Sequence, residues 1–241
     1  MSAAEPARFR IAREIFAKLP GLRVVSVVAR DIGSGNRAAI DAEWAAAWAA
    51  VHESFGYENA QSHPRIAQWR LAMRGIGAPH KEFPTSVESL VRRAIKGPVP
   101  FRVHPVVDFY NAVSLRHVVP AGAFDLAGLS GDLELRLTRE GDLFGALDAQ
   151  DDEAVPPGEV AYATGATILT RHLVWRQSRR GSIGVATRGA LFVSELLAGP
   201  EDLAPIVEAA LAGGLRNLFG ATVSAAVLSE ERPVLELQSR S

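Results

Sequence analysis

Cysteine is absent from the 241 residues of the chain. Disulfide bonds, thiolate nucleophiles and cysteine-based zinc sites are therefore excluded together. Long apolar runs are missing too: none approaches the roughly 18 residues of a membrane-spanning helix, and the N-terminal MSAAEPARFR lacks the apolar core of a signal peptide. We expect a cytoplasmic protein that does not contact a membrane.

The chain also lacks an excess of positive charge. Lys and Arg number 26 against 27 Asp and Glu, and the formal net charge is −1. A protein that holds nucleic acid mainly through phosphate contacts usually carries a clear basic excess. Any RNA partner is therefore met by a local basic patch, or is held weakly and briefly.

Common signatures of cofactor and metal binding are missing as well. GSGNR at 33–37 has neither the spacing nor the strand-to-helix context of a phosphate-binding loop, and the six histidines show no metal spacing. Asp108, Ser114 and His117 are close in sequence, but catalytic triads are assembled by tertiary structure, so we interpret them as unrelated residues. We expect neither a metal nor an organic cofactor.

Apolar residues make up 48% of the sequence, enough for a sizeable core. The apolar spacing and capping residues predict a buried strand at Leu22–Arg30, helices at 9–18, 41–55, 63–77 and 85–97, and a final helix or helix pair at 200–220. From about residue 99, short apolar runs such as VVDFYNAVSL and SIGVAT favour strands. We predict a single α+β unit, with a helical and first-strand part at 1–98 and a sheet-rich core at 99–241.

Several segments taken together resemble a known family. They are HPVVDFYNAVSLRHVVPAGAFDL, GDLELRLT, GEVAYAT, LVWRQSRRGSIGVAT and ALFVSEL. They resemble the B3/B4 domain of the beta subunit of phenylalanyl-tRNA synthetase and its free-standing relatives, which add an N-terminal helical extension. The resemblance covers about residues 10 to 220. It implies an irregular sandwich of sheets flanked by helices, with a pocket between the sheets.

The resemblance also implies an activity and a set of residues. The synthetase domain hydrolyses the ester that joins a wrong amino acid, typically tyrosine, to its tRNA. Its asparagine falls on Asn111, and its glutamate, which selects the hydroxyl of tyrosine, falls on Glu195. Its aromatic-aspartate pair falls on Phe124 and Asp125, and we place Tyr110 in the same pocket.

Two departures from the synthetase pattern bear on the substrate. Gly122 stands where the synthetase domain has a pocket histidine, and LVWRQSRR replaces a loop of small residues. The cluster of Trp175, Arg176 and Gln177 therefore lies at the amino-acid wall of the pocket. We do not expect the specificity of the synthetase domain to transfer unchanged.

Deacylation needs a positioned water and stabilisation of the oxyanion, because an aminoacyl ester is already activated. The amide of Asn111 or Gln177 can hold the water, with help from the terminal ribose hydroxyl. Arg176, or backbone N–H groups near Gly122, can stabilise the negative charge. Glu195 can bind the amino group or a polar side chain, or act as a general base if burial raises its pKa.

Each of these residues also has a purely structural interpretation. Asn111 would cap a turn, Glu195 would lie at the surface or pair with Arg188, Trp175 would anchor the core, and Arg176 would pair with Asp125 or Glu159. Gln177 is the residue that packing explains least. A cavity on which Asn111, Gln177 and Glu195 converge would favour chemistry or ligand binding over a scaffold role.

The predicted tRNA contacts are arginines of one short segment. They are Arg171, Arg176, Arg179 and Arg180, with Arg92, Arg93 and Lys96 as a second candidate patch or a solvated helix face.

The first functional hypothesis is a trans-acting editing hydrolase, an aminoacyl-tRNA deacylase that binds aminoacylated tRNA weakly and transiently. The alternatives are a non-catalytic module that binds tRNA or an amino acid, and an interaction domain with an exposed apolar patch. The oligomeric state stays open.

Overall fold

The computed structural model describes residues 8–237. Within this range the helices are α1 (Arg13–Lys18), α2 (Arg37–Ser54), α3 (Pro64–Gly75), α4 (Ser86–Lys96), α5 (Pro105–His117) and α6 (Ala204–Phe219). No helix between residues 8 and 237 combines the length with the apolar character that crossing a membrane requires.

The strands of the described residues form two sheets. The larger sheet contains β1 (Arg8–Ile11), β4 (Leu133–Leu137), β5 (Leu143–Phe144), β6 (Glu153–Ala154), β7 (Val160–Thr164), β8 (Thr167–Arg171), β9 (Arg176–Gln177) and β12 (Val234–Glu236). The smaller sheet runs in the order β11 (Thr222–Leu228), β2 (Arg23–Arg30), β10 (Gly189–Leu196) and β3 (Gly122–Asp125). All neighbours in the smaller sheet are antiparallel.

Strand β2 is buried on both faces, which explains its continuous run of apolar residues. Val24 and Val28 lie in the core between the two sheets, whereas Val25 and Val27 lie in the core under α5 and α6. The strand predicted at Leu22–Arg30 is confirmed.

A third core joins the helices. Trp44 and Trp48 meet edge to face on α2, with ring centroids 5.3 Å apart, and pack with Val91 of α4 and Leu115 of α5. The order of layers is thus α2 and α4, then α5 and α6, then the smaller sheet and the larger sheet. This is the predicted α+β arrangement, a sandwich of sheets flanked by helices.

The interpretation of VVDFYNAVSL as a strand is wrong. Residues 106–115 belong to α5, which begins after the N-cap His104 with Pro105 in its first turn. The helix is packed between α2 on one side and β3 and α6 on the other, so nine of its thirteen residues are buried. Because buried residues occur on most faces of this helix, its sequence carries no clear 3.6-residue periodicity, and the run could not be distinguished from a buried strand.

Smaller corrections concern element boundaries. Phe9 lies in β1 rather than in a helix, and α1 starts at Arg13. Helix α2 begins at Arg37 with Asn36 as its N-cap, not at Asp41. The run SIGVAT at 182–187 is a loop. By contrast, Thr85 caps α4 as predicted, since its hydroxyl accepts a hydrogen bond from the backbone N–H of Glu88.

Candidate functional site

A cavity of about 170 Å³ lies between the two sheets, at the edge where β3 ends the smaller sheet. Its walls come from α5, β3, β7, β10 and the turn that joins β8 to β9. The volume is below the few hundred Å³ of a site for a drug-sized ligand. It suits a group of the size of one amino-acid side chain.

Two buried hydroxyls fix the wall between α5 and β3. The hydroxyl of Ser114 donates to the carbonyl of Val119 at 2.6 Å, and that of Ser194 donates to the carbonyl of Pro120 at 2.7 Å. Both serines are fully buried. They anchor the segment that leads into Gly122. Ser114 therefore has a structural role, and it does not form a triad with Asp108, whose carboxylate accepts from the N–H of Val103.

The opposite wall is a strained turn. His172 and Leu173 have φ angles of 45° and 62°, the left-handed region that residues with a Cβ rarely adopt. Two hydrogen bonds hold this conformation. The N–H of Leu173 donates to the carbonyl of Val160, and the carbonyl of Leu173 accepts from the hydroxyl of Thr170. The turn ends in Trp175, Arg176 and Gln177. Strain of this kind persists only where the surroundings enforce it, and it is concentrated at functional sites.

Asn111 lies on α5 with its side chain at the cavity. It is 9% exposed, and no protein group within residues 8–237 forms a hydrogen bond to its amide. Its amide atoms are not among the fully buried side-chain atoms that lack a partner, so they are accessible from the cavity. The amide is therefore available to a ligand or a bound water. Asn111 does not cap a turn.

Glu195 comes from the opposite side of the sandwich to Tyr162. By the alternation of β10, Glu195 lies on the same face as Leu191 and Val193, toward the larger sheet. The hydroxyl of Tyr162 on β7 donates to Glu195 Oε1 at 2.5 Å, so this hydrogen bond joins the two sheets. Glu195 is 3% exposed, and Arg188 does not contact it.

Burial sets the protonation of this pair. It raises the pKa of Glu195 from 4.5 to about 7, although the hydrogen bonds from Tyr162 and from its own backbone N–H lower it. Burial and the neighbouring carboxyl also raise the pKa of Tyr162 well above its usual value, so its hydroxyl stays protonated and donates. A carboxyl group with a pKa near neutrality can both accept and release a proton at physiological pH.

Gln177 forms a second bridge between the sheets. Its Nε2 donates to the carbonyl of Ala123 at 2.8 Å, which fixes the orientation of the amide. Its Oε1 has no hydrogen-bond donor among residues 8–237 and is left as an acceptor at the cavity. The structure thus brings Asn111, Gln177 and Glu195 to one cavity, the arrangement that favours chemistry or ligand binding over a scaffold role.

Five of the six residues predicted for the substrate pocket lie at the cavity. Tyr110, Gly122, Phe124, Trp175 and Arg176 all line the cavity. A Cβ added to Gly122 would meet no atom within 4 Å, so the absent side chain leaves open space there. Trp175 is partly exposed and is not a core anchor, and Arg176 pairs with Asp148.

Asp125 does not line this cavity. Its carboxylate accepts from the N–H of Ala127 at 2.9 Å and from the hydroxyl of Thr187 at 2.6 Å. It therefore shapes the loop at the far end of β3 and has no contact with the three converging polar groups.

The arginines predicted to contact tRNA are all paired with carboxylates. Arg171 pairs with Glu153 and Glu159, Arg176 with Asp148, and both Arg179 and Arg180 with Asp152. In the second candidate patch, Arg92 pairs with Glu88 and Arg93 lies over the ring of Phe101. An RNA phosphate would have to compete with these carboxylates. No group of three side chains within residues 8–237 is arranged to hold a metal ion.

Tyr162 was not among the site residues predicted from the sequence. The signal was its place in GEVAYAT, where a phenol stands in the middle of a fully buried strand and needs a hydrogen-bond partner. The partner, Glu195, is 33 residues away, so local sequence could not identify it.

A family model described as "B3/4 domain" matches residues 68–201, which is more than half of the chain. The chain belongs to the B3/4 domain family. The matched range includes Asn111, Tyr162, Gln177 and Glu195 of this B3/4 chain. No match was found among curated proteins.

A solved structure similar to this B3/4 chain is the crystal structure of an N-terminal fragment of the phenylalanyl-tRNA synthetase beta-subunit from Pyrococcus horikoshii. The sequences are 7% identical and the TM-score is 0.48. The similarity covers 95% of this chain and 57% of the other chain. This chain thus spans little more than half of that fragment.

Proposed function

We propose that this B3/4 chain acts on aminoacylated tRNA and hydrolyses the ester that carries a wrong amino acid. The observation that carries the proposal is the cavity itself. Asn111, Gln177 and Glu195 converge on a space of one amino-acid side chain, and the amide of Asn111 has no protein partner there. A filled or purely apolar interior would have favoured a scaffold.

The residues have distinct roles in the proposed reaction. Gln177 Oε1 accepts a hydrogen bond from the attacking water, and the carboxylate of Glu195 takes the proton as the water oxygen bonds to the ester carbon. The amide N–H of Asn111 donates to the carbonyl oxygen as negative charge develops on it. The bond from carbon to the ribose oxygen then breaks, and that oxygen receives the proton from Glu195. The products are the free amino acid and the uncharged tRNA.

The proposed RNA contact is weak and transient. The arginines near the cavity already hold carboxylates, so each phosphate contact replaces an existing ion pair. With a net charge of −1, the chain gains little from general attraction to RNA. Fast release suits a protein that must sample many charged tRNAs.

The experiment that tests the function is release of amino acid from a panel of mischarged tRNAs. We expect turnover by the wild type, and a loss of about 10²-fold in kcat for Asn111→Ala, the magnitude typical of one lost oxyanion donor. Gln177→Ala should lose turnover as well, since it removes the acceptor for the water. Inactivity of the wild type on the whole panel would refute the hydrolase.

Gly122→Val tests where the substrate lies. The added side chain points into open cavity space, and Gly122 has no left-handed φ, so we expect an intact fold with KM raised about tenfold or more. Gly131→Val is the matched control, because a Cβ there also meets no atom but Gly131 does not line the cavity. Equal kinetics for the two variants would place the substrate elsewhere.

A second candidate function is a non-catalytic module that binds tRNA or an amino acid. The observation that favours it is Gly122, which leaves this wall of the cavity without the polar side chain that the resemblance implies there. Binding of tRNA at low salt without turnover of any ester would support this function over hydrolysis.

A further inference from the structure

Trp175 differs from the other tryptophans of the chain. Trp44, Trp48 and Trp69 are at most 3% exposed and lie within cores. Trp175 is partly exposed and lines the cavity. An indole ring that is left partly in water loses the stabilisation that burial gives, so its position needs a reason other than packing.

The protein holds this ring in place firmly. The ring of Phe83 packs edge to face against the indole of Trp175, with 4.7 Å between the centroids. Phe83 is itself in contact with the ring of His172, with 3.8 Å between those two centroids. The N–H of Ser86, at the start of α4, donates to the carbonyl of Val174 at 2.8 Å. With the two left-handed residues of the turn, these contacts fix an aromatic surface beside the cavity before any ligand arrives.

The next residue brings a positive charge to the same place. Arg176 lines the cavity, and its partner Asp148 is 77% exposed. An ion pair this open to solvent contributes little to stability, so the guanidinium can exchange Asp148 for another anion at small cost. Arginine binds phosphate well because its planar donors match phosphate geometry.

We propose that Trp175 and Arg176 form a nucleotide platform, on which a terminal purine base stacks against the indole while the guanidinium binds its phosphate. Stacking on an aromatic side chain is tolerant of base identity, whereas the phosphate contact fixes the position of the sugar. The ribose then lies at the cavity entrance with its acyl group inside. This inference rests on the proposed function for the identity of the acyl group, but the platform itself needs no ester.

The test uses adenosine 5′-monophosphate as the probe. Because the other three tryptophans are buried, we expect saturable quenching of Trp175 fluorescence by this nucleotide, and no comparable binding of ribose 5-phosphate, which lacks the base. Trp175→Leu should raise the Kd, measured by calorimetry, about tenfold, and Trp175→Phe should restore most of the affinity. Linear, non-saturable quenching would indicate collisions and overturn the proposal.

Arg176→Gln separates the phosphate contact from stacking. It should raise the Kd of the nucleotide several-fold and leave that of adenosine unchanged, whereas Arg10→Gln, an ion-paired and half-exposed arginine on β1, should change neither. Equal affinity of adenosine 5′-monophosphate and ribose 5-phosphate would refute the platform. Nucleotide binding through Trp175 without ester hydrolysis would support the platform and refute the hydrolase. Ester hydrolysis without nucleotide binding through Trp175 would support the hydrolase and refute the platform.

Discussion

Glu195→Gln is expected to lower the rate of the proposed ester hydrolysis by about 10²- to 10⁴-fold, the range typical of a lost general base. Glutamine keeps the shape of the side chain and can still accept the hydrogen bond from Tyr162. The wild-type kcat/KM should fall tenfold per pH unit below about 7, where Glu195 becomes protonated, and level off above it. Initial rates between pH 5 and 9 measure this profile. A flat profile would exclude Glu195 as the base.

The same variant has an opposite effect on stability. The folded-state pKa of Glu195 is raised from 4.5 to about 7, so the native protein holds this proton more tightly than the unfolded chain. Stability therefore falls as pH rises from about 4.5 to 7 and is constant beyond. Glu195→Gln removes this loss, and we expect it to gain up to about 3 kcal/mol relative to the wild type at pH 8 but not at pH 4. Urea unfolding at both pH values measures the difference.

A gain in stability with a loss of activity would distinguish a functional carboxyl from a structural one. Glu201→Gln is the matched control, because Glu201 is exposed and pairs with Arg65 at the surface. It should change stability by less than about 1 kcal/mol, without the pH dependence. A Glu195→Gln protein that is less stable at pH 8 than the wild type would mean that the ionised carboxylate holds the fold together.

Arg136→Ala is expected to be the most destabilising substitution described here, with a loss of about 3–5 kcal/mol. The guanidinium is 1% exposed, binds both oxygens of Asp142, and donates to the carbonyls of Leu137 and Gly165. Its removal leaves the buried carboxylate of Asp142 without its cation. Equilibrium unfolding in urea measures the loss, with Arg116→Gln, which removes the exposed ion pair with Glu43, as the control.

A double variant tests the physical reason. Replacing Arg136 and its bidentate partner by apolar residues, as in Arg136→Met with Asp142→Leu, removes the unpaired buried carboxylate and should recover much of the lost stability. If the double variant is as unstable as Arg136→Ala, the other contacts of the pair are responsible: those of Arg136 with Glu134 and two backbone carbonyls, and that of Asp142 with the N–H of Arg139.

The sequence predicted the fold where its elements follow one clear pattern. β2 is a short, β-branched run buried on both faces, and α4 has a polar face and Thr85 as its N-cap. The prediction failed for α5, because a helix that is buried on most of its faces can be mistaken for a strand when only apolar runs are considered. The sandwich was inferred from family resemblance, since residues of different sheets are paired by tertiary structure alone.

The candidate site was predicted in part. Asn111, Gln177 and Glu195 do converge, but their spacing in the sequence did not suggest this. Asn111 and Glu195 were suggested by the family resemblance, and Gln177 was suggested because packing does not explain its position. Tyr162 was missed because its partner is remote in sequence. The arginines were predicted as a patch for RNA, with an acidic partner considered for Arg176 alone, yet each has an acidic partner that precedes it in the chain by between 12 and 28 residues. Pairing at that distance depends on loop conformation, which no local pattern encodes.

The cavity combines two parts that can change independently of each other. Glu195 and Tyr162 are built into the sandwich, and altering them disturbs both sheets. Trp175 and Arg176 lie where the turn after β8 leads into β9, and Phe83, Ser86 and Val160 hold this segment from outside the two sheet faces that carry Glu195 and Ala123. Substitutions in this turn would exchange the group that is recognised while the buried acid stays in place. Among proteins with this architecture that act on different substrates, we therefore expect the residues of the turn to differ. The residues at the positions of Glu195 and Tyr162 are expected to stay the same or to change together.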